Sequence, residues 1–409
     1  MSTRIVTAFA ILALIITAGC NSDTDPVSSK TQSQGSATAA DTLPVPTPAP
    51  TNTPYIEEVT KFDKDAKFIQ LTSIDQEVPN YQKNICAGVK DVDPHLLQLD
   101  SEKISCLIDA GKTNAPLLLV GGEALESEVL EAISEGVDYG EEIFGKWGPV
   151  VAIAVQYQDP SVEYLATQNC RIRAKYHPHR PFKDCFNETL AFISGFDECC
   201  GAVHDPPVPL NPVRIQYFIY SAPDAMLRGN QLRKVTLHEY IHVVQNAQIV
   251  HPHEIRCSDE ENKLCEFGFG PVWLEEGSAE YFAQYYSDKR GWANFESTMK
   301  QNLESALNVK QRGYSLRDVA TRKGQRQIAE LCRCGGQLYY DTGTWATAWL
   351  VNRSGEDAFF VEHFPNVAYV GFEKAFKNAF GLTLDQFYSE FDAFLDKPKS
   401  EQLKILKLN

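Results

Sequence analysis

The spacing of hydrophobic residues predicts one helix and two buried strands in the first half of the chain. Residues 123–143 carry apolar side chains at helical period, beginning with Leu125 and Val129. The segment 150–156 (VVAIAVQ) is continuously apolar and rich in β-branched residues, which is typical of a buried strand. Residues 213–220 (VRIQYFIY) predict a second strand. This part of the chain therefore combines helix and sheet.

Helical periods dominate the second half of the chain. Residues 235–249 (VTLHEYIHVVQNAQI) show them, and phenylalanines recur every fourth position over 372–380. Gly381 is placed to end that helix, and Thr383 with Gln386 has the spacing of a capping box for a further helix. We therefore expect an α+β fold, with a mixed sheet in its N-terminal part and a mostly helical C-terminal part.

Composition places the chain among globular proteins and excludes one class of partner. Of its 409 residues 43% are hydrophobic, which is enough to bury a substantial core. The 38 Lys and Arg residues stand against 54 Asp and Glu, giving a net charge of -16. Because a phosphate backbone attracts basic surfaces, nucleic acid is not an expected partner.

The first 54 residues have the composition of an export signal and a tether. Residues 1–19 place Arg4 before an apolar stretch, as secretory signal peptides do. Residues 17–20 (TAGC) resemble the lipobox of bacterial lipoproteins, which implies cleavage before Cys20 and lipid attachment to its thiol. The alternative is an ordinary signal peptide with an incidental cysteine. Residues 20–54 are rich in Ser, Thr and Pro and predict a disordered tether. We expect an exported lipoprotein anchored to a membrane, either the outer membrane or the cell surface.

The cysteine count fits an exported protein. The chain has eleven cysteines, so ten remain when Cys20 is set aside, and an even number predicts up to five disulfides. No CxxC pair occurs, which disfavours a zinc site built from thiolates. The connectivity stays open, although Cys257 and Cys265 could close a small loop.

The chemistry is concentrated in residues 238–242 (HEYIH), an HExxH motif. His238 and His242 are four residues apart, so on a helix both imidazoles can face one ion, and Glu239 can reach a water molecule beside it. A chance match is the alternative. However, Glu276 follows His242 by 34 residues. A catalytic zinc ion takes three protein ligands and keeps one position for water, and we expect Glu276 to be the third.

Two segments together resemble a known family. HEYIH and residues 273–281 (WLEEGSAEY) are similar to the HExxH and W-L-x-E-G-x-A segments of gluzincin metallopeptidases of the aminopeptidase N type. The resemblance implies a thermolysin-like fold over residues 115–400, with 55–114 as an accessory region. It also implies one Zn²⁺ bound by His238, His242 and Glu276. Glu280 would then support the first histidine; a solvated helix face is the alternative for that residue.

A third match concerns a tyrosine. Residues 340–343 (YDTG) are similar to the Tyr-x-x-Gly segment of the same family. The resemblance implies that Tyr340 donates a hydrogen bond to the tetrahedral intermediate. The alternative is an aromatic residue that opens a core helix.

The chain also departs from the aminopeptidase pattern. No Gly-x-Met-Glu-Asn motif precedes HExxH, so the segment that binds a free amino terminus in those enzymes is missing. The insertion 248–270 carries His251 and His253, which we interpret as surface residues on a loop. His177, His179 and His204 have no partner at helical spacing, and we expect them in loops.

Two functions follow as hypotheses. The first is a lipid-anchored zinc metallopeptidase acting on a peptide or protein substrate, with Glu239 as general base and Tyr340 as oxyanion donor. The second is a non-catalytic surface lipoprotein that keeps the fold and the zinc as a binding module. A serine hydrolase is disfavoured because no Gly-x-Ser-x-Gly segment is present.

Overall fold

The computed structural model describes nine stretches of the chain, all within one structural unit: residues 101–112, 117–156, 159–176, 182–194, 201–205, 216–221, 228–250, 268–332 and 334–406. The predicted signal peptide, lipidated Cys20 and the tether lie outside these residues. So do most of the accessory region, His177, His179, His251, His253 and the Cys257 and Cys265 loop.

One sheet of four strands contains both predicted strands. The strands are β1 (Leu118–Gly121), β2 (Val150–Val155), β3 (Gly201–Asp205) and β4 (Gln216–Ser221). Their order is β1-β2-β4-β3, with β1, β2 and β4 parallel and β3 antiparallel to β4. Strand β2 has neighbours on both sides and is buried throughout, which explains its unbroken apolar sequence. The sheet is mixed, as expected, although β1 and β3 were not predicted.

Helices make up most of the described residues. They are α1 (Ser101–Gly111), α2 (Ser127–Phe144), α3 (Val162–Tyr176), α4 (Phe182–Ser194), α5 (Gly229–Gln248), α6 (Val272–Lys289), α7 (Phe295–Gln311), α8 (Arg322–Leu331), α9 (Gly343–Ser354), α10 (Phe364–Val370), α11 (Phe372–Phe380), α12 (Leu384–Leu395) and α13 (Lys399–Gln402). Short 3₁₀ turns and two π-helical turns connect some of them. The broad α+β class is thus confirmed.

Helix α5, which carries HExxH, runs through the interior. All residues from 234 to 248 are buried, so both the apolar and the polar side chains of this helix face protein. Helix α2 packs closely against it because Gly136 and Gly140 are one turn apart at the crossing. A Cβ on Gly140 would lie 2.4 Å from the ring of Tyr240. Because α5 is buried, its polar side chains need hydrogen-bond partners on neighbouring elements.

The helical part is built on an aromatic core. The predicted stripe of Phe372, Phe376 and Phe380 is buried on α11. Gly381 ends this helix in the left-handed region, at φ 71°. The predicted capping box at the start of α12 is present. The Thr383 hydroxyl accepts a hydrogen bond from the Gln386 backbone N–H, and the Gln386 side-chain oxygen accepts one from the Thr383 backbone N–H.

The remaining features concern α1 and the cysteines. Helix α1 packs through Ile104 and Leu107 against Val250 and Ala368.

Disulfides join Cys170 to Cys185 and Cys332 to Cys334, so the expectation of disulfides is confirmed for these four cysteines. Among the helices that the structure describes, none is long and apolar enough to cross a membrane.

Candidate metal centre

The candidate site lies between α5 and α6, which present matching rows of polar side chains one turn apart. The row on α5 is Lys234, His238 and His242, and the row on α6 is Glu276, Glu280 and Gln284. Contacts pair the early residues of one row with the late residues of the other, so the two helices run antiparallel. Residues far apart in sequence thereby meet along one seam.

Three buried atoms form a nearly equilateral triangle at the centre of this seam. Oε2 of Glu276 lies 3.3 Å from Nε2 of His238 and 3.3 Å from Nε2 of His242, and the two Nε2 atoms are 3.1 Å apart. A tetrahedral ion with bonds of about 2.0–2.1 Å holds its ligands roughly 3.3 Å from one another. This buried group could therefore hold a metal ion.

The chemistry of these donors also fits a cation. Oε2 of Glu276 is buried and accepts no well-formed hydrogen bond from the described residues. Burial raises the pKa of Glu276, but the charges of His242 and His238 and the contacts of both imidazoles together outweigh burial and bring that pKa to about 2. Burial lowers the pKa of His242, whereas the Glu276 carboxylate raises it to about 10. The site thus favours positive charge, and a metal ion must displace a proton to bind.

His238 is oriented from behind by Glu280. Its Nδ1 lies 3.1 Å from Oε2 of Glu280, while the other carboxylate oxygen accepts from Lys234 at 3.0 Å and from Gln284 at 2.7 Å. Burial raises the pKa of Glu280, but Lys234 and then His238 outweigh it and hold the pKa well below its usual range. The carboxylate is therefore charged and able to accept the Nδ1–H. Glu280 occupies this position instead of a solvated helix face.

His242 is oriented by Gln245, a residue to which the sequence assigned no role. Nδ1 of His242 is 2.7 Å from Oε1 of Gln245. The Gln245 amide nitrogen donates to the Glu275 carbonyl at 3.1 Å and to the Ser278 hydroxyl at 3.0 Å. Because these two acceptors hold the NH₂ group, the amide oxygen faces the imidazole. The signal for Gln245 was its place in the same helical stripe as both histidines.

Glu239 and Tyr340 are the two predicted catalytic residues. Glu239 is buried on α5 next to the first histidine. Tyr340 lies in the π-helical turn Gln337–Thr342, and its ring centre is 6.2 Å from that of His238. Its hydroxyl is buried and makes no well-formed hydrogen bond with a described residue, although it lies in interaction range of the Glu276 carboxylate. Burial, then the charges of Glu276 and Glu239, raise the pKa of Tyr340, so the phenol keeps its proton and remains a donor.

The other candidate residues lie elsewhere. His204 is on strand β3, although we expected a loop there. The four cysteines in the described disulfides belong to no group with metal-binding geometry. Within the described stretches, His238, His242 and Glu276 form the one group with metal-binding geometry.

Comparison with known proteins adds no relative. The chain matches no protein family, no curated protein and no solved structure with which it was compared. The family resemblance therefore depends on three short motifs, and the function on the geometry of the site.

Proposed function

We propose that this chain is a zinc metallopeptidase of the gluzincin type that hydrolyses peptide bonds. The main support is the triangle of His238, His242 and Glu276, whose dimensions suit a tetrahedral ion. The order of sheet, HExxH helix, glutamate helix and helical remainder agrees with a thermolysin-like fold. Zinc is the proposed ion because two imidazoles and one carboxylate are a common catalytic ligand set for it.

The reaction divides between the ion and two side chains. A zinc ion held by His238, His242 and Glu276 would lower the pKa of a bound water molecule to about 7 and would polarise a carbonyl group. Glu239 accepts the proton as the water oxygen bonds to the carbonyl carbon, and it delivers a proton to the amine nitrogen as the C–N bond breaks. Tyr340 donates a hydrogen bond to the oxyanion that forms meanwhile.

The buried Tyr340 hydroxyl supports this assignment. A buried hydroxyl without a well-formed hydrogen bond costs about 1–3 kcal/mol, and the Tyr340 hydroxyl has only a loose contact with the Glu276 carboxylate. A substrate oxyanion beside the metal centre would supply a better acceptor. A purely structural role in the core would need only the aromatic ring, and a phenylalanine would supply it without the buried hydroxyl.

The test is hydrolysis of a mixed peptide library by the full-length zinc-loaded chain, with and without a chelator. We expect cleavage that the chelator stops, and Glu239→Gln should keep its zinc and lose the cleavage. Blocking half of the library with N-acetyl groups also shows whether a free amino terminus is needed. Zinc binding without any cleavage would instead favour the non-catalytic binding module.

Export and membrane anchoring belong to the same proposal and depend on residues 1–54. Cys20→Ser should prevent lipid attachment and release the chain from the membrane fraction. Mass spectrometry of the N-terminal peptide measures the lipid directly. If Cys20 of the exported protein carries no lipid, the alternative of an ordinary signal peptide with an incidental cysteine is the correct one.

A further inference from the structure

Lys234 is a buried cation next to the metal centre that the proposed reaction does not use. It lies one turn before His238 on α5 and is only 8% exposed. A lysine at such a position is rare unless its charge is paired. Its Nζ lies 3.0 Å from Oε1 of Glu280, a side chain that is itself mostly buried.

The two oxygens of Glu280 have different partners. Oε1 accepts from Lys234 and from Gln284, whereas Oε2 lies 3.1 Å from Nδ1 of His238. Because two donors hold Oε1, the orientation of the carboxylate is fixed and Oε2 faces the imidazole. Glu280 therefore links Lys234 to His238.

The surrounding carboxylates favour a cation at this position. Three carboxylates, Glu239, Glu276 and Glu280, lie in the buried seam between α5 and α6, where unpaired charge is costly. Glu276 is a proposed metal ligand and Glu239 is the proposed catalytic base. A salt bridge from a lysine to either of them would interfere with that role. Lys234 instead pairs with the third, which only orients a ligand.

We propose that Lys234 is a positioning residue of the metal centre, which holds Oε1 of Glu280 so that Oε2 fixes Nδ1 of His238 and directs Nε2 toward the ion. This inference rests on the metal centre of the proposed function but not on peptide hydrolysis. A salt bridge that merely joins α5 to α6 is the competing explanation.

Zinc affinity of the full-length chain separates these explanations. Partners that orient a metal ligand typically change metal affinity by about 10- to 100-fold when removed. We expect Lys234→Met to weaken zinc binding by this factor in competition with a chromogenic chelator, and Lys234→Arg to restore most of it. Lys300→Met is the matched control, because Lys300 pairs with Glu296 on the exposed face of α7.

A double substitution tests the route through Glu280. In a Glu280→Gln background, Lys234→Met should weaken zinc binding no further, because the carboxylate that transmits its effect is gone. The same loss in both backgrounds would overturn the inference. So would unchanged zinc affinity in Lys234→Met accompanied only by a lower melting temperature of the metal-free protein.

One further variant and one further measurement keep the test decisive. If Lys234→Met does not fold, Lys234→Gln keeps a hydrogen-bond donor while removing the charge, and its zinc affinity should also fall. The visible spectrum of the cobalt-loaded protein should change in Lys234→Met and not in Lys300→Met, because ligand geometry sets that spectrum. Zinc affinity does not depend on turnover, so a chain that cleaves no peptide would refute the proposed function and leave this inference standing.

Discussion

Gly277 on α6 and Gly343 on α9 are in direct backbone contact where the two helices cross. A Cβ on Gly277 would lie 2.3 Å from the carbonyl carbon of Gly343, and one on Gly343 would lie 2.6 Å from the Trp273 carbonyl oxygen. Only glycine allows this approach. Gly277 follows Glu276, and Gly343 comes one turn after Tyr340. The crossing therefore sets the distance between a metal ligand and the proposed oxyanion donor.

Gly277→Ala should reduce peptide hydrolysis more than zinc affinity. The added methyl group must push α9 away, at a cost of about 1–3 kcal/mol in stability, and Tyr340 moves with it. The kcat on a cleaved library peptide and the zinc affinity are the two measurements. Gly336→Ala is the control, because a Cβ there meets no neighbour. Equal effects of both substitutions would argue against a positioning role for the crossing.

Tyr340→Phe should retain zinc and lower kcat by about 10²- to 10³-fold, the usual effect of losing one oxyanion donor. The metal-free variant should be as stable as the parent chain or slightly more stable, because the lost hydroxyl is buried and makes no well-formed hydrogen bond. Chemical denaturation and steady-state kinetics measure the two effects. An unchanged kcat would remove Tyr340 from the mechanism.

Gln245→Leu should weaken zinc binding by about 10- to 100-fold, because Nδ1 of His242 loses the amide oxygen that orients it. Asn246→Leu is a neighbouring comparison, since the Asn246 amide donates to the His242 backbone carbonyl at 2.9 Å. Chelator competition gives both affinities. Should the two variants bind zinc alike, the orienting role of Gln245 is wrong.

Zinc affinity should fall as the pH falls. Glu276 raises the pKa of His242 to about 10, so at neutral pH this imidazole is protonated in the metal-free protein and must release its proton to bind zinc. Each displaced proton makes the affinity fall about tenfold per pH unit below that pKa. Titration in weak buffer should show proton release on zinc addition. Affinity that is constant between about pH 6 and 8 would contradict this charge state.

His363→Leu should stabilise the protein at acid pH. His363 is fully buried among Phe364, Phe372, Phe376 and Phe380, and burial lowers its pKa from 6.5 to about 3. Below pH 6.5, His363 therefore binds a proton in the unfolded chain but not in the folded chain. The free energy of unfolding decreases as the pH falls toward 3.

The comparison needs only two pH values. Relative to the parent chain, the variant should gain about 2 kcal/mol between pH 7 and pH 5, since each pH unit below 6.5 contributes about 1.4 kcal/mol. Urea denaturation of the metal-free proteins gives this difference, and other titrating groups cancel between them. A pH-independent difference would mean that His363 titrates normally.

Local patterns in the sequence were reliable where the interaction is local. The capping box of Thr383 and Gln386 spans one turn, and the phenylalanine stripe before Gly381 repeats along one helix, so neither depends on distant residues. The continuous apolar run of β2 also sufficed, because a central strand is buried on both faces. Strands β1 and β3 were missed because they are only four and five residues long, too short for a period to show.

The sequence by itself determined that two imidazoles would face one direction and that carboxylates would recur one turn apart on a later helix. It could not determine which of those side chains would meet, because the register of α5 against α6 depends on packing. Tertiary structure alone paired Lys234 with Glu280, turned Gln245 toward His242 and brought Gly277 against Gly343. The physical reason is that helical periodicity sets directions within one element, whereas distances between elements follow from how closely their surfaces can approach.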